Sequence, residues 1–283
     1  GHAIGQEMHL GYIQDVVLRG EWILPRDLDG KISSKPPLAV WIGALVCMPF
    51  ERTPMVAANF SVALGTLGLL LLIYFSGRRV FGEHPARIAA LIYLFSFFAY
   101  KTQTLLRSDS WFAFFVYFSL ILADRALRGR GSWAAFWLVS ALATLCKGPL
   151  GLLLVLGGVS VCFFWMRRLP DWKGFLRGLW LGLLIYLVLV CGWFLLALRE
   201  GGEEAGRKYL VDELLGHAVT GKKGDYPGMR LYDSPIFFFG RFFPWSLASA
   251  ADLVAIRRRP TEAPDARYGV RLHAGSLLFG LAL

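Results

Sequence analysis

From Ala57 to Phe75 the chain runs without one charged residue, which as a helix is long enough to cross the ~30 Å hydrocarbon core of a bilayer. A run of that length satisfies its peptide groups internally only as a helix, and in lipid they have no other partner. Further apolar stretches lie near residues 86–106, 109–127, 132–147, 149–166, 175–198 and 235–256, and a last one is cut by the terminus. Several have uninterrupted cores shorter than the usual ~20 residues, which leaves their limits open. With 56% hydrophobic and 15% aromatic residues, the composition excludes a soluble domain. The expected fold class is therefore an all-α polytopic membrane protein, a single transmembrane helix bundle over 1–283.

The cations give that bundle a direction. Connectors 77–87, 124–132, 167–177 and 257–271 hold Arg78, Arg79 and Arg87; Arg125, Arg128 and Arg130; Arg167, Arg168, Lys173 and Arg177; and five arginines, respectively. The alternate connectors hold Lys101 and Arg107, then Lys147. An excess of Lys and Arg marks cytoplasmic loops, so the arginine-rich set is expected inside the cell. Residues 1–54, the 101–109 turn, Lys147 and a 199–234 loop then share the exoplasmic face. The net charge of +10 follows from this loop pattern and anionic lipid headgroups, and nucleic acid is not an expected partner. The four cysteines, Cys47, Cys146, Cys162 and Cys191, all lie in apolar stretches, and their spacing matches no zinc motif or disulfide framework.

Residues 19–41, RGEWILPRDLDGKISSKPPLAVW, are the most distinctive polar stretch. Gly20-Glu21-Trp22 and Pro25 stop a helix arriving from the amino-terminal side, and Gly30 permits a tight reversal. Pro36 and Pro37 suit the first turn of the next helix. Lys35 is left at the lip of that helix, where a compact ammonium and the positive end of the helix dipole suit a phosphate. The plainer account is a lysine snorkelling to the membrane surface.

The exoplasmic segments together bring Glu7, Lys35, Arg107, Asp109, Lys147, Asp212, Glu213, His217, Lys222 and Lys223 to one side of the bundle. Carboxylates and cations at a membrane surface suit a reaction on a lipid-linked anion, although charge also collects at helix ends because hydrocarbon excludes it. Asp109 opens a helix, where an acid complements the dipole. Lys147, before Gly148-Pro149, equally suits a helix end. His217 lies in an amphipathic stretch, VDELLGHAVTG. Arg241, inside FFFGRFFPW, needs a partner if it is to stay in an apolar run. Residue 1 is not methionine, no apolar run precedes residue 37, and the chain stops within LLFGLAL. It reads as an internal fragment of a longer protein with no visible signal peptide.

Gly20-Glu21-Trp22-Ile23-Leu24-Pro25, Lys35-Pro36-Pro37-Leu38 with Trp41, Arg107-Ser108-Asp109, Lys147-Gly148-Pro149 and Pro244-Trp245-Ser246 appear in that order. The set resembles the bacterial aminoarabinose transferase and protein mannosyltransferase-like superfamily, the GT-C-type membrane glycosyltransferases. The resemblance implies a GT-C-like bundle with exoplasmic juxtamembrane loops in the bacterial cytoplasmic membrane. It further implies transfer of a sugar from a polyprenyl-phosphate donor to a lipid A, protein or other glycan acceptor. By motif, Lys35 meets the donor phosphate, with Lys147, His217 or Arg241 as helpers, and Asp109 builds the catalytic site. The first-loop acid departs from the pattern: the usual Asp-Glu pair falls on Gly5 and Gln6, and the following tyrosine on His9. Glu7 is the nearest carboxylate and is taken as the base, with Asp15 in reserve. Ser34 stands where related transferases have glutamate, and their loop histidine falls on Leu214. No cofactor is firmly implied, therefore, and a divalent metal stays an open option without its usual ligands.

Two rivals belong to other classes. A transporter or flippase of a lipid-linked anion is expected to carry broken helices and ionisable groups near the midplane. A non-catalytic assembly subunit needs no convergence of polar loops. Impermeant cysteine labelling of intact cells checks the orientation on which all of this rests: single cysteines beside Arg79, Arg128 and Arg168 are expected to stay unlabelled and those in 199–234 to label, and the opposite pattern inverts the topology.

Overall fold

The computed structural model describes residues 2–50, 53–96, 105–166 and 172–209, with the backbone alone for 2–4 and 161–175. These residues are helical apart from turns, short connections and one isolated antiparallel bridge, Arg26 to Ile32. In chain order the helices are α1 (His2–Gln14), α2 (Leu38–Cys47), α3 (Met55–Phe81), α4 (Glu83–Phe95), α5 (Asp109–Leu127), α6 (Trp133–Lys147), α7 (Leu150–Met166), α8 (Trp172–Tyr186) and α9 (Gly192–Gly206). A π-helical turn, Asp15–Arg19, ends α1, and a second, Leu187–Cys191, joins α8 to α9. Among the described residues, Met55–Phe81, Asp109–Leu127 and Leu176–Tyr209 are long and apolar enough to cross a membrane. The protein is a multi-pass membrane protein.

Lipid and core are separated along each helix. On α3, Val56, Phe60, Leu67, Leu71 and Phe75 are exposed, while Ala58, Ser61, Val62, Gly65, Thr66 and Leu69 are buried. Large apolar side chains thus face outward and smaller ones face the bundle, as lipid permits and water would not. Helix α6 lies at the centre, packed against α2, α5, α7 and α8. At 15 residues it is about 22 Å long, shorter than a lone span, and protein rather than lipid covers it. Hydroxyls inside the bundle bond locally: Ser119 and Ser140 each donate at 2.8 Å to the carbonyl four residues back, and Tyr186 donates at 3.2 Å to Thr144.

Helix ends fall where glycine and proline place them. Gly20 ends the first helical stretch at φ 75°, and Gly148 ends α6 at φ 85°. Pro36 and Pro37 do not enter the first turn as expected; Pro37 is the N-cap and Leu38 the first helical residue. Helix α4 stops at Phe95 rather than running on toward 106, because Ser96 turns to extended backbone at ψ 137°. The segment beyond 198 also differs from the loop expected there. It continues as helix to Gly206, with a kink at Gly202 (φ 51°, ψ −131°). The expected helix at 235–256 and the remainder of 210–234 lie outside the described residues.

Close helix approach depends on glycine. A Cβ on Gly182 of α8 would sit 1.8 Å from Cδ1 of Trp137, and one on Gly178 would sit 2.1 Å from Cβ of Trp133. Both tryptophans are buried on α6. Gly182→Ala is expected to force α8 off α6 and to lower stability by about 1–3 kcal/mol, read as the thermal midpoint in detergent. Gly192→Ala has no atom within 4 Å of its new methyl and should be neutral or stabilising by roughly 0.5–1 kcal/mol.

Candidate functional site

The connection before α2 is pinned at several points, and these determine where Lys35 sits. Asp15, only 4% exposed, accepts from the backbone N–H of Arg26 at 2.8 Å and from the Arg19 guanidinium at 3.2 Å. The reserve acid is therefore occupied in holding the loop against the end of α1. Asp27 accepts from the N–H groups of Asp29 (3.0 Å) and Lys31 (2.9 Å), closing the reversal at Gly30. The indoles of Trp41 and Trp193 donate to the carbonyls of Trp22 (2.6 Å) and Ile23 (3.1 Å). Arg26 reaches Glu204 of α9 at 3.3 Å. Each neutral bond contributes about 1 kcal/mol, and together they leave the loop little freedom. Ser33 Oγ then donates to the Lys35 carbonyl at 2.8 Å and accepts from its N–H at 3.2 Å. The ammonium of Lys35 is thus carried on a fixed backbone, half-buried at the start of α2.

Helices α5 and α6 run antiparallel, which puts the start of one beside the end of the other. Asp109 in the first turn of α5 and Lys147 in the last turn of α6 meet there, Nζ to Oδ1 at 2.5 Å, with side chains 30% and 32% exposed. Each charge complements the dipole of its own helix, and Lys147 also lies 5.4 Å from the Phe112 ring centroid. Arg107, two residues before Asp109, is exposed. Its guanidinium has no hydrogen bond or ion pair to another described residue, and it passes 3.6 Å from where a Cβ on Gly5 would stand.

Helix α1 supplies the remaining wall. His9, on the same side as Gly5 and Tyr12 by the 3.6-residue period, is half-buried, with its ring edge-on to Tyr12 at 5.9 Å. Burial above all, with Arg107 and Lys35 adding to it and Asp109 opposing, lowers its pKa to about 4. The imidazole is neutral at physiological pH. Burial and the nearby Asp27 carboxylate push Tyr12 up to about 12, so its phenol is also neutral.

Of the residues nominated from sequence, Lys35, Asp109 and Lys147 lie at the same end of the bundle, and the first two are close enough to act on the charge of His9. Glu7 is exposed on α1, two residues from His9 and so on nearly the opposite side of the helix. It has no hydrogen bond or ion pair to another described residue. His217 and Arg241, with Asp212, Glu213, Lys222 and Lys223, lie outside the described residues. His9 is the addition from structure, and Arg107, named in sequence among the converging charges, joins it. Their signals in sequence were the His9 position itself, four residues after Gly5, and the Arg-Ser-Asp step. Among the described residues no three His, Cys, Asp or Glu side chains are grouped to hold a metal, and Ser34 itself offers a hydroxyl where a carboxylate ligand would stand.

The fold and the charged end of the bundle define the class: a multi-pass membrane protein with the GT-C-type architecture of ArnT. ArnT from Cupriavidus metallidurans, solved bound to undecaprenyl phosphate, superposes with a TM-score of 0.76 at 20% identity over 98% of this chain and 54% of that one. Residues 34–195 match the family described as dolichyl-phosphate-mannose-protein mannosyltransferase, and the chain belongs to that family. A Proteus mirabilis undecaprenyl phosphate-alpha-4-amino-4-deoxy-L-arabinose arabinosyl transferase 2 is 29% identical over 49% of this chain and 26% of its own length. An Aquifex aeolicus protein is 27% identical over 78% of this chain and 48% of its own. The chain spans about half the length, or less, of the relatives it matches.

A folded-state pKa below that of the free side chain makes the neutral imidazole the favoured form in the fold. Below pH about 6.5 the unfolded chain takes up a proton that the folded chain refuses until about 4. Stability from this group is therefore lost as pH falls through that window and is unaffected above it. The difference in thermal midpoint between the protein and His9→Gln, measured in detergent from pH 8 to 4, is expected to be flat above about pH 7. Below that it should shift in favour of the variant.

Proposed function

We propose that this protein is a membrane glycosyltransferase that takes a sugar from a polyprenyl-phosphate donor on the exoplasmic side of a bacterial cytoplasmic membrane. The carrying observation is that Lys35, Arg107 and the Asp109–Lys147 pair meet at one end of the bundle, on a lipid-linked-sugar glycosyltransferase fold. That end is opposite the helix ends bearing Arg78 and Arg79 on α3 and Arg125 on α5, with Arg128 as the cap that follows. Residues 1–283 act in this reading as one GT-C-like domain, with 1–54 as first exoplasmic loop, 55–198 as helix bundle, 199–234 as exoplasmic segment and 235–283 as further spans.

The mechanism follows from where charge develops. Displacement at the anomeric carbon transfers an electron pair to the leaving phosphate, so fixed cations lower the barrier most beside that phosphate. Lys35 is the first choice because its backbone is pinned, and Arg107 adds a guanidinium without a competing acid among the described residues. Lys147 is held by Asp109, which makes Asp109 the group that orients a cation and organises the bound sugar. His217 and Arg241 stay in the proposal as further helpers. Attack in line with the departing phosphate inverts the anomeric configuration. A lipid or protein acceptor reaches the same surface from the membrane or from outside it.

The interior of the bundle supports this reading over transport. In α3, α5 and α6 the ionisable residues fall near the ends: Arg78 and Arg79; Asp109, Asp124 and Arg125; and Lys147. A carrier of an anion across the membrane needs such groups near the midplane.

The test is transfer by the full-length protein from a panel of labelled donors, among them undecaprenyl-phosphate aminoarabinose and polyprenyl-phosphate mannose, onto membrane acceptors without nucleotide sugar. Lys35→Ala is expected to lose about 100-fold or more while folding normally, and Lys35→Arg to recover only part, because a planar fork replaces a compact ammonium. Wild-type turnover in Lys35→Ala would return that lysine to a snorkelling role.

A further inference from the structure

Attack by a hydroxyl or amine requires somewhere for its proton to go, and the groups around the cluster differ in their freedom to take it. Asp15 is buried and already accepts from Arg19 and Arg26. Asp109 already accepts from Lys147. Glu7 is on the exposed side of α1. His9 faces inward, between Arg107 and Asp109 at the start of α5, Lys35 ahead of α2, and Tyr12 on its own helix. It lines a niche of about 10 Å³ together with Arg107 and Ser61, room for a single water-sized group. Trp111 also lines it, and its Nε1–H is buried with no acceptor among the described residues.

Resting on the transferase reading above, we infer that His9 is the proton acceptor for the incoming nucleophile, whose oxygen or nitrogen occupies the niche between the imidazole and Trp111. A neutral imidazole offers one nitrogen lone pair to take the proton, and where the nucleophile is a hydroxyl the Trp111 indole offers a donor for the oxygen's second lone pair. The reaction balances as one displacement. The nucleophile's lone pair forms the bond to the anomeric carbon while the carbon–oxygen bond to phosphate breaks. That electron pair leaves on the phosphate beside Lys35 and Arg107. The nucleophile's proton passes to His9, and the imidazolium then releases it to water.

Donor binding and base strength are coupled in this arrangement. Arg107 and Lys35 depress the basicity of His9 along with burial, while Asp109 opposes them. A phosphate anion placed between those cations offsets their field, so the imidazole becomes a stronger base when a donor is present. Without a donor it stays close to a carboxylate in strength, ~4.

The experiment uses the full-length protein in nanodiscs with the donor that the wild type consumes. His9→Gln is expected to bind undecaprenyl phosphate within about threefold of wild type, to lose roughly 100-fold or more in kcat, and to lose the acidic limb of the kcat–pH profile. In His9→Ala, added imidazole should restore part of the rate, and substituted imidazoles should restore it in order of their basicity. A merely structural histidine would show neither effect. Near-wild-type kcat with an intact acidic limb in a folded His9→Gln overturns the assignment, as does loss in Glu7→Gln with none in His9→Gln. A wild-type protein that consumes no lipid-linked sugar instead overturns the transferase reading and this assignment with it.

Discussion

Hydrocarbon accepts neither an unpaired charge nor an unpaired peptide group, and the spanning helices of this protein meet both demands in the same way. Their backbone bonds close within each helix, and their ionisable residues fall near the ends, as with Arg78 and Arg79 on α3 or Asp109, Asp124 and Arg125 on α5. Because α5 and α6 are antiparallel, charge expelled from hydrocarbon collects in two layers. One layer is dominated by arginine. The other contains Asp109 and Lys147 joined at 2.5 Å, with His9, Lys35 and Arg107 around them. The candidate site is thus a consequence of membrane insertion, made specific by which charges share a layer.

Precision within that layer comes from the first loop. A lysine on a free loop would sample many positions, and holding it near a phosphate would cost about 2 kcal/mol of side-chain entropy on top of the backbone cost. Here two tryptophan indoles, a buried aspartate and a serine hydroxyl fix the backbone on both sides of Lys35. The same tryptophans bring α2 and α9 onto the loop, so a helix some 170 residues away in sequence helps position it. Family membership rests on residues 34–195, which include Lys35, Asp109 and Lys147. His9 lies before that stretch, on α1.

Hydropathy and charge act on one segment at a time, and what depends on them was legible in the sequence. That includes the all-helical membrane fold, the starts of α5, α6 and α7 within a residue or so, the stops at Gly20 and Gly148, and Lys35 and Asp109 as motif residues. The extent of α4 and the helix beyond 198 were not legible. The first ends on a backbone change at Ser96 that no proline or glycine announces. The second mixes charge and glycine in a way that reads as loop until Ala205 is seen buried against Leu24 and Trp193. Only tertiary structure decided which face of α1 meets the cluster. The resemblance pointed to Glu7 as the carboxylate nearest the expected acidic pair, and in the fold it is Gly5 and His9 that lie toward Arg107. The Asp109–Lys147 pair was equally a tertiary outcome, since it depends on how two helices lie side by side and not on what either one is made of.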